Sequence, residues 1–389
     1  MDFILVFWCV LAAIFLGVPS VYNLFMKKRA VKPWNLNIDE TYEPNVSILV
    51  PSYNEEKTIR LKLTNLLKLD YPAEKLEIIL VDDASTDKTL EEINNFFISY
   101  PDSNVKVLNR THRAGKSDAL NFALKHANGD VIVVSDADCF LSSDALKKAL
   151  LYLSDSNVGA VAGREMLLNP QSSWVTKSEV FFNNFVQPQR LGESKVHSTI
   201  FFQGGFAAYK KACLDEFDHE NDDSGTALNI VQGKKRSIIV PEAQFYTMFP
   251  VNWRNKVLLK IRRAKQLQKI WIKCLKFSFN GKLVLPKKIA IPEIFLQIFN
   301  PLVFLALLLL TPLVILELPL ISLVFILIIA VLALKQKIRL ALFESFQNYL
   351  ILIVALFSLN TKNQFKVWQT TDESRLLLNE KMLQEKHLI

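Results

Sequence analysis

The chain has 389 residues, half of them hydrophobic, with 46 Lys+Arg against 38 Asp+Glu and a formal net charge of +8. That length and apolar content suit one soluble domain of ordinary size joined to membrane segments. The basic excess does not mark a nucleic-acid binder. It clusters beside apolar tracts, at Lys27-Lys28-Arg29, Lys256 to Lys269, Lys287-Lys288 and Lys335 to Arg339, as cytoplasmic membrane flanks do, and no zinc-finger or RNA-binding signature accompanies it.

Phe3 to Phe25 is apolar for long enough to span a bilayer, and Lys27-Lys28-Arg29 follows it. A signal peptide carries its charges before the apolar core, so this order predicts a retained anchor, with the N-terminus outside and the domain that follows cytoplasmic. Residues 30 to 44 connect the anchor to the next domain. Cys9, Cys139, Cys213 and Cys274 form no CxxC spacing and read as free thiols of a reducing compartment.

Four short apolar strands are predicted next, each ending in polar residues. Val46 to Val50 runs into Pro51-Ser52-Tyr53-Asn54-Glu55, and Leu76 to Val81 into Asp82-Asp83-Ala84-Ser85. Val105 to Leu108 leads to Arg113-Ala114-Gly115-Lys116, and Val131 to Val134 to Ser135-Asp136-Ala137-Asp138. Helical stretches alternate with them, which predicts an α/β domain with an open, mainly parallel sheet. Ligands of such sheets lie beyond the carboxyl ends of the strands, so the four polar clusters are expected to converge on one crevice. Two carboxylates two residues apart at a strand end suit one hard cation, Mg²⁺ or Mn²⁺, shared with a substrate diphosphate. Asp138 is the candidate direct ligand, with Asp136 positioning metal and ribose. Lys116 and Arg113 are candidates for contacts to the diphosphate or base. Ser52, Tyr53 and Glu55 form one side of the expected crevice and Asp83 the other. Cys139, next to the acidic pair, reads as a small buried residue.

Further along come Gly204-Gly205, where backbone can approach a ligand or simply turn, and Asp222-Asp223 ahead of a helix at Ala227 to Val231 and a strand at Ser237 to Val240. Residues 250 to 288 interleave Trp253, Leu258, Ile270 and Trp271 with Arg and Lys, as helices on a membrane surface or against a core do. Three apolar tracts follow: Ile291 to Leu316, interrupted by Pro301 and Pro312, then Leu318 to Leu334, then Leu340 to Leu359. The first two predict a helical hairpin. The third contains Glu344, Gln347 and Asn348, which are costly in lipid. It either spans or is re-entrant or interfacial, and Lys362 and Lys366 beyond it favour a cytoplasmic tail.

The strand-end motifs, Gly115-Lys116 with Ala119-Leu120-Asn121, Asp136-Ala137-Asp138, Gly204-Gly205 and Asp222-Asp223, in this order and spacing, resemble the family 2 glycosyltransferases over roughly residues 44 to 270. The resemblance implies a GT-A fold and transfer of a sugar, with inversion, from a nucleotide-sugar. For that donor, Ser52, Tyr53, Glu55 and Asp83 would take base and ribose, with the Asp83 carboxylate accepting the imide N–H of uracil, although guanine also offers N–H donors. It implies that Asp223 is the general base, that Asp222 lies beside it, and that Gly204 and Gly205 border the acceptor. Processive members carry Gln-x-x-Arg-Trp on a later helix; here Arg263 and Gln266 occur without the Trp at the expected spacing. Arg263 is retained as a donor-side candidate and Gln266 as an acceptor-side one, while processivity is put in doubt.

The expected layout is an anchor at 1–29, a GT-A domain at 44–250, amphipathic interfacial helices at 251–288, membrane helices at 289–360 and a cytoplasmic tail at 361–389. The expected activity is metal-dependent transfer, from a UDP-sugar in preference, to a lipid or lipid-linked glycan at the membrane. The alternative is a processive polysaccharide synthase that also exports its polymer. Expected partners are the nucleotide-sugar, the acceptor and membrane lipids, with no nucleic acid.

Overall fold

The computed structural model describes residues 2–359 and 372–389. Lys362, Lys366 and the beginning of the expected tail lie outside the described residues. The chain forms two compact units: Met1–Val31 with Lys177–Gly192 and Trp253–Lys362, and Lys32–Thr176 with Glu193–Asn252 and Asn363–Ile389.

The second unit is built on an eight-stranded sheet. Its strands are β1 (Val46–Ser52), β2 (Leu76–Asp82), β3 (Val105–Asn109), β4 (Val131–Val134), β5 (Cys139–Leu141), β6 (Val158–Leu167), β7 (Ala207–Lys210) and β8 (Arg236–Thr247). Their order is β3-β2-β1-β4-β7-β6-β8-β5. The first four are parallel, β7 runs antiparallel to β4 and β6, β6 is parallel to β8, and β5 is antiparallel to β8. The sheet is open, as expected, and mixed, with β5 and β7 as its antiparallel strands. Its central strands read as unbroken apolar runs because both faces are covered: Ile48, Leu49, Val50, Ile132 and Val133 have no exposed surface. Helices α2 (Ile59–Leu67), α3 (Thr89–Ser99) and α4 (Lys116–Leu124) follow the first three strands, and α5 (Ala145–Leu150) follows β5. Ile59, Leu63, Leu66, Ile93, Phe96 and Leu146 pack with Val46, Ile48 and Val133 in one core.

The same unit contains the end of the chain. Leu383 and Leu388 are buried with Phe140 and Leu168. Asn65 Nδ2 donates to the carbonyls of Leu141 (2.9 Å) and Leu388 (2.7 Å), so one amide ties α2, β5 and the C-terminal segment together.

The first unit is helical: α1 (Asp2–Ala30), the middle of α6 (Trp174–Val196), α8 (Trp253–Phe279), α9 (Lys287–Ile294), α10 (Asn300–Glu317), α11 (Pro319–Ala333) and α12 (Gln336–Phe357). The short helix α7 (Ser224–Gln232) belongs to the sheet unit. Phe3–Ala30, Lys287–Glu317 and Gln336–Phe357 are each long and apolar enough to cross a membrane. Pro301 and Pro312 do not break the first C-terminal tract. A π-helical turn at Phe295–Phe299 precedes Pro301, which has no N–H to give the carbonyl of Gln297; that oxygen instead accepts from Gln268 Nε2 at 3.0 Å. Residues 177–192 also depart from the expected layout by packing with the helical unit. Buried Glu293 accepts there from Gln189 Nε2 (2.6 Å) and Arg190 Nη1 (2.8 Å).

The polar residues of α12 have partners on α8. Lys256 Nζ donates to Glu344 Oε1 at 2.6 Å, Trp253 Nε1 to Gln347 Oε1 at 2.6 Å, and Gln268 Nε2 to the Leu352 carbonyl at 2.9 Å. Half-buried Lys260 and buried Glu179 complete a four-charge cluster with buried Lys256 and Glu344. One face of α8, residues 253, 256, 260, 264 and 268, thus meets α12, at the spacing of neighbouring helical turns.

Candidate active site

The ends of β1, β2 and β4 and the start of α4 surround one pocket in the sheet unit. Of the residues singled out in the sequence, Ser52, Tyr53, Glu55, Asp83, Arg113, Lys116 and Asp136 line it. Ser52 Oγ is buried and has no hydrogen-bond partner among the described residues, a polar group left for a ligand. The Arg113 guanidinium stacks on the Tyr53 ring at 3.5 Å from its centroid. Asp83 holds the loop before α4 in place: it accepts from Gly115 N at 2.7 Å and Ala114 N at 3.2 Å, and pairs with Arg110 at 3.2 Å. Gly115 has φ +100°, a backbone region that side chains rarely enter.

Glu55 is buried and bound on both carboxylate oxygens. Thr58 Oγ1 donates to it at 2.6 Å, Arg375 Nε donates at 2.7 Å, and Arg375 Nη2 donates to the second oxygen. Burial, and then the charge of Asp138, push Glu55 up to about 7 despite the Arg375 guanidinium.

The acidic turn between β4 and β5 is pinned by its backbone. Ser135 N donates to Leu49 O (3.1 Å), Asp136 N to Gly204 O (3.0 Å) and Cys139 N to Asp136 O (3.1 Å). Asp136, Asp138 and Cys139 each bring one ligand atom to within 4.8 Å of the others. Burial first, and then the two carboxylates, push the Cys139 thiol well above its ordinary range. Two hard carboxylates fit Mg²⁺ or Mn²⁺ better than a soft ion.

Lys116 opens α4 and gathers the remaining acids. Its Nζ lies 2.8 Å from Asp136 Oδ1, 2.7 Å from Asp222 Oδ2 and 3.7 Å from Asp223 Oδ1. Burial opposes its charge, yet these carboxylates outweigh it and hold the ammonium well above its usual range. Asp223 stands at the N-cap position of α7, but its side chain makes no capping bond; Asn221 Oδ1 accepts from Ser224 N at 2.8 Å instead. Burial, and then Asp222, raise Asp223 well above the ordinary carboxylate range. Gly204 adjoins this cluster. A Cβ on it would fall 2.3 Å from Lys116 Nζ, 2.6 Å from Asp136 Oδ2 and 3.0 Å from Asp223 Oδ1. Gly205 O accepts from Ser135 Oγ at 2.7 Å.

Arg263 and Gln266 lie on α8 of the helical unit, Arg263 exposed and Gln266 half-buried. Neither is among the residues lining the pocket. Sequence reasoning missed Arg375 and Lys62. Arg375 gives no local signal, being 320 positions from Glu55. Lys62 does give one: it interrupts the apolar face Ile59, Leu63, Leu66 of a short helix.

A GT-A sheet whose strand ends bring Ser52, Asp83 and Asp136 to one pocket, with Asp222 and Asp223 gathered at the pocket residue Lys116, defines a glycosyltransferase that takes a nucleotide-sugar. The family model Glycosyl transferase family 2 matches residues 47–217. The chain is similar over its length to a mannosyltransferase, PcManGT, of Pyrobaculum calidifontis, solved with GDP-Man and Mn²⁺. The TM-score is 0.78 and the identity 31%, over 92% of this chain and 99% of that one. This chain belongs to glycosyl transferase family 2. Among curated relatives, a beta-monoglucosyldiacylglycerol synthase of Nostoc sp. (strain PCC 7120 / SAG 25.82 / UTEX 2576) is 38% identical over 35% of this chain and 29% of its own length. A poly-beta-1,6-N-acetyl-D-glucosamine synthase of Staphylococcus epidermidis (strain RP62A) is 26% identical over 56% of this chain and 52% of its own length. The chain thus spans about half the length, or less, of these curated relatives.

Proposed function

We propose that this glycosyltransferase transfers one sugar, with inversion, from a nucleoside-diphosphate sugar to a lipid or lipid-linked glycan at the cytoplasmic face of the cell membrane. The observation that carries the reading is the meeting of Asp136, Asp222 and Asp223 at Lys116 Nζ, beside a pocket that also holds the unpartnered Ser52 hydroxyl.

In this reading Ser52, Tyr53, Arg113 and the loop fastened by Asp83 receive base and ribose. Asp136 and Asp138 would hold a divalent cation, Mg²⁺ or Mn²⁺, which when bound neutralises the charge growing on the departing diphosphate. Lys116 keeps Asp136 in place and adds positive charge on the same side. Asp223 takes the proton of the acceptor hydroxyl. Its raised proton affinity suits it to that task, and Asn221 relieves it of capping α7. Gly204 and Gly205 border the acceptor, with Asp222 between Lys116 and the base. Arg263 and Gln266 remain donor-side and acceptor-side candidates on sequence grounds alone.

The uridine preference rested on Asp83, whose oxygens serve Ala114, Gly115 and Arg110 here. The similar Pyrobaculum calidifontis protein was solved with GDP-Man, so UDP- and GDP-sugars are equal arms of the test. A lipid acceptor is supported by the candidate membrane spans and by the similarity to the Nostoc lipid glycosyltransferase. The basic Lys27-Lys28-Arg29 in the last turn of α1 supports a cytoplasmic sheet unit. The packing of Arg375, Leu383 and Leu388 within that unit supports a C-terminal segment on the same side of the membrane, with an even number of crossings by α9 to α12.

The test is a panel of UDP- and GDP-sugars offered with Mn²⁺ to membranes containing the full chain, with lipid extracts analysed for one added sugar. A single labelled lipid glycoside supports the reading. A long polymer, or no metal-dependent consumption of any donor, contradicts it.

A further inference from the structure

Lys62 has no exposed surface and sits on the apolar face of α2, between Ile59 and Leu66. Burying an ammonium there costs free energy that a hydrocarbon side chain would not. Burial dominates its acidity and pulls it down to about 8, while the acidic groups of the nearby turn oppose that shift.

The partners of Lys62 are specific. Nζ donates to Ser135 Oγ and to the Cys139 carbonyl, each at 2.6 Å. These are the residues immediately before and after Asp136-Ala137-Asp138. Ser135 Oγ passes the connection on to Gly205 O at 2.7 Å, next to the glycine that Lys116, Asp136 and Asp223 crowd. One buried cation therefore joins both ends of the acidic turn and links that turn to the glycine pair. A lysine serving only stability would be a poor choice at this position, since apolar packing there is cheaper.

We propose that Lys62 is a positioning residue of the acidic turn: by fastening Ser135 and Cys139 it presets the carboxylates of Asp136 and Asp138 for a divalent cation. This rests on the metal reading given above. Groups that orient metal ligands without touching the ion typically change metal affinity about 10–100-fold when removed.

The test uses the full chain purified in detergent and a fluorescent UDP or GDP analogue, reading the Mn²⁺ concentration that half-saturates nucleotide binding. Melting temperature is measured in parallel without metal. Lys62→Met is expected to raise half-saturating Mn²⁺ about tenfold or more, with a metal-free melting temperature equal to or above that of the wild type. Ser135→Ala, a smaller change, is expected to shift Mn²⁺ in the same direction, and it decides the matter if Lys62→Met does not fold. Wild-type Mn²⁺ dependence in these variants, with loss of it in Asp138→Asn, would overturn the role of Lys62 and leave the metal reading standing. Melting temperatures that fall in step with Mn²⁺ affinity would reduce Lys62 to a structural role. Nucleotide binding that ignores Mn²⁺ in the wild type, or an Asp138→Asn variant that keeps it, would remove the metal reading and Lys62's role with it.

Discussion

Arg375 donates through both Nε and Nη2 to the two carboxylate oxygens of Glu55, across 320 positions of sequence. Glu55 lines the pocket, so the far end of the chain supports that wall of it. Removing one partner of a buried pair leaves a charge uncompensated and costs about 3–5 kcal/mol. Burial raises Glu55 from its ordinary value of about 4.5 to about 7. The stability it contributes is therefore full below about pH 4.5 and lost as pH rises through about 7. Arg375→Met raises Glu55 further and extends that loss upward. The melting temperatures of variant and wild type are expected to differ more at pH 8 than at pH 5.5, with weaker nucleotide binding at pH 8. An equal gap at both pH values would separate Arg375 from the ionisation of Glu55.

Gly204→Ala places a methyl group against Lys116 Nζ and the carboxylates of Asp136 and Asp223. The lysine tip can move, but only by leaving the acids it joins. Transfer is expected to fall at least about tenfold, as misplacement in a catalytic cluster does, with little change in melting temperature. Wild-type turnover would mean that the cluster does not need this approach.

Asp223→Asn keeps size and removes the proton acceptor. Turnover with a hydroxyl acceptor is expected to fall about 10²–10⁴-fold, with the nucleotide dissociation constant nearly unchanged. Loss of nucleotide binding instead would point to a structural part in the Lys116 cluster.

In the helical unit, Glu344→Ala leaves Lys256 buried beside Glu179 and Lys260 with one carboxylate fewer. The expected destabilisation is about 3–5 kcal/mol. Lys256→Met combined with Glu344→Leu is expected to cost less than Glu344→Ala alone. A double variant as unstable as the sum of the single ones would show that the pair is not coupled.

These residues also show what was legible in the sequence. Val46 to Val50 and Val131 to Val134 could be read as strands because burial on both faces leaves an unbroken apolar run, and their polar ends marked the site. β5 has only three residues, too few to carry a pattern, and β6 is interrupted by register shifts at Val158/Ala160 and Ala162/Arg164. Glu344, Gln347 and Asn348 stood out as costly in an apolar tract, but their partners Lys256, Trp253 and Lys260 lie 88 to 94 positions away. Proline rules alone placed breaks at Pro301 and Pro312; a side chain from another helix, Gln268, supplies the partner that lets the first pass. The Asp136-Ala137-Asp138 triplet was visible at once, while Lys62 beneath it required the fold.

The central claim is that Asp136 and Asp138 hold a divalent cation against the donor diphosphate. Its most direct test is donor turnover by the full chain, with and without chelator, in wild type and Asp138→Asn. The expected result is loss of wild-type turnover in chelator, restoration by Mn²⁺, and about a hundredfold or greater deficit in Asp138→Asn at saturating donor, the scale of a lost transition-state charge contact. Turnover that persists in chelator and is unchanged by Asp138→Asn would contradict the account.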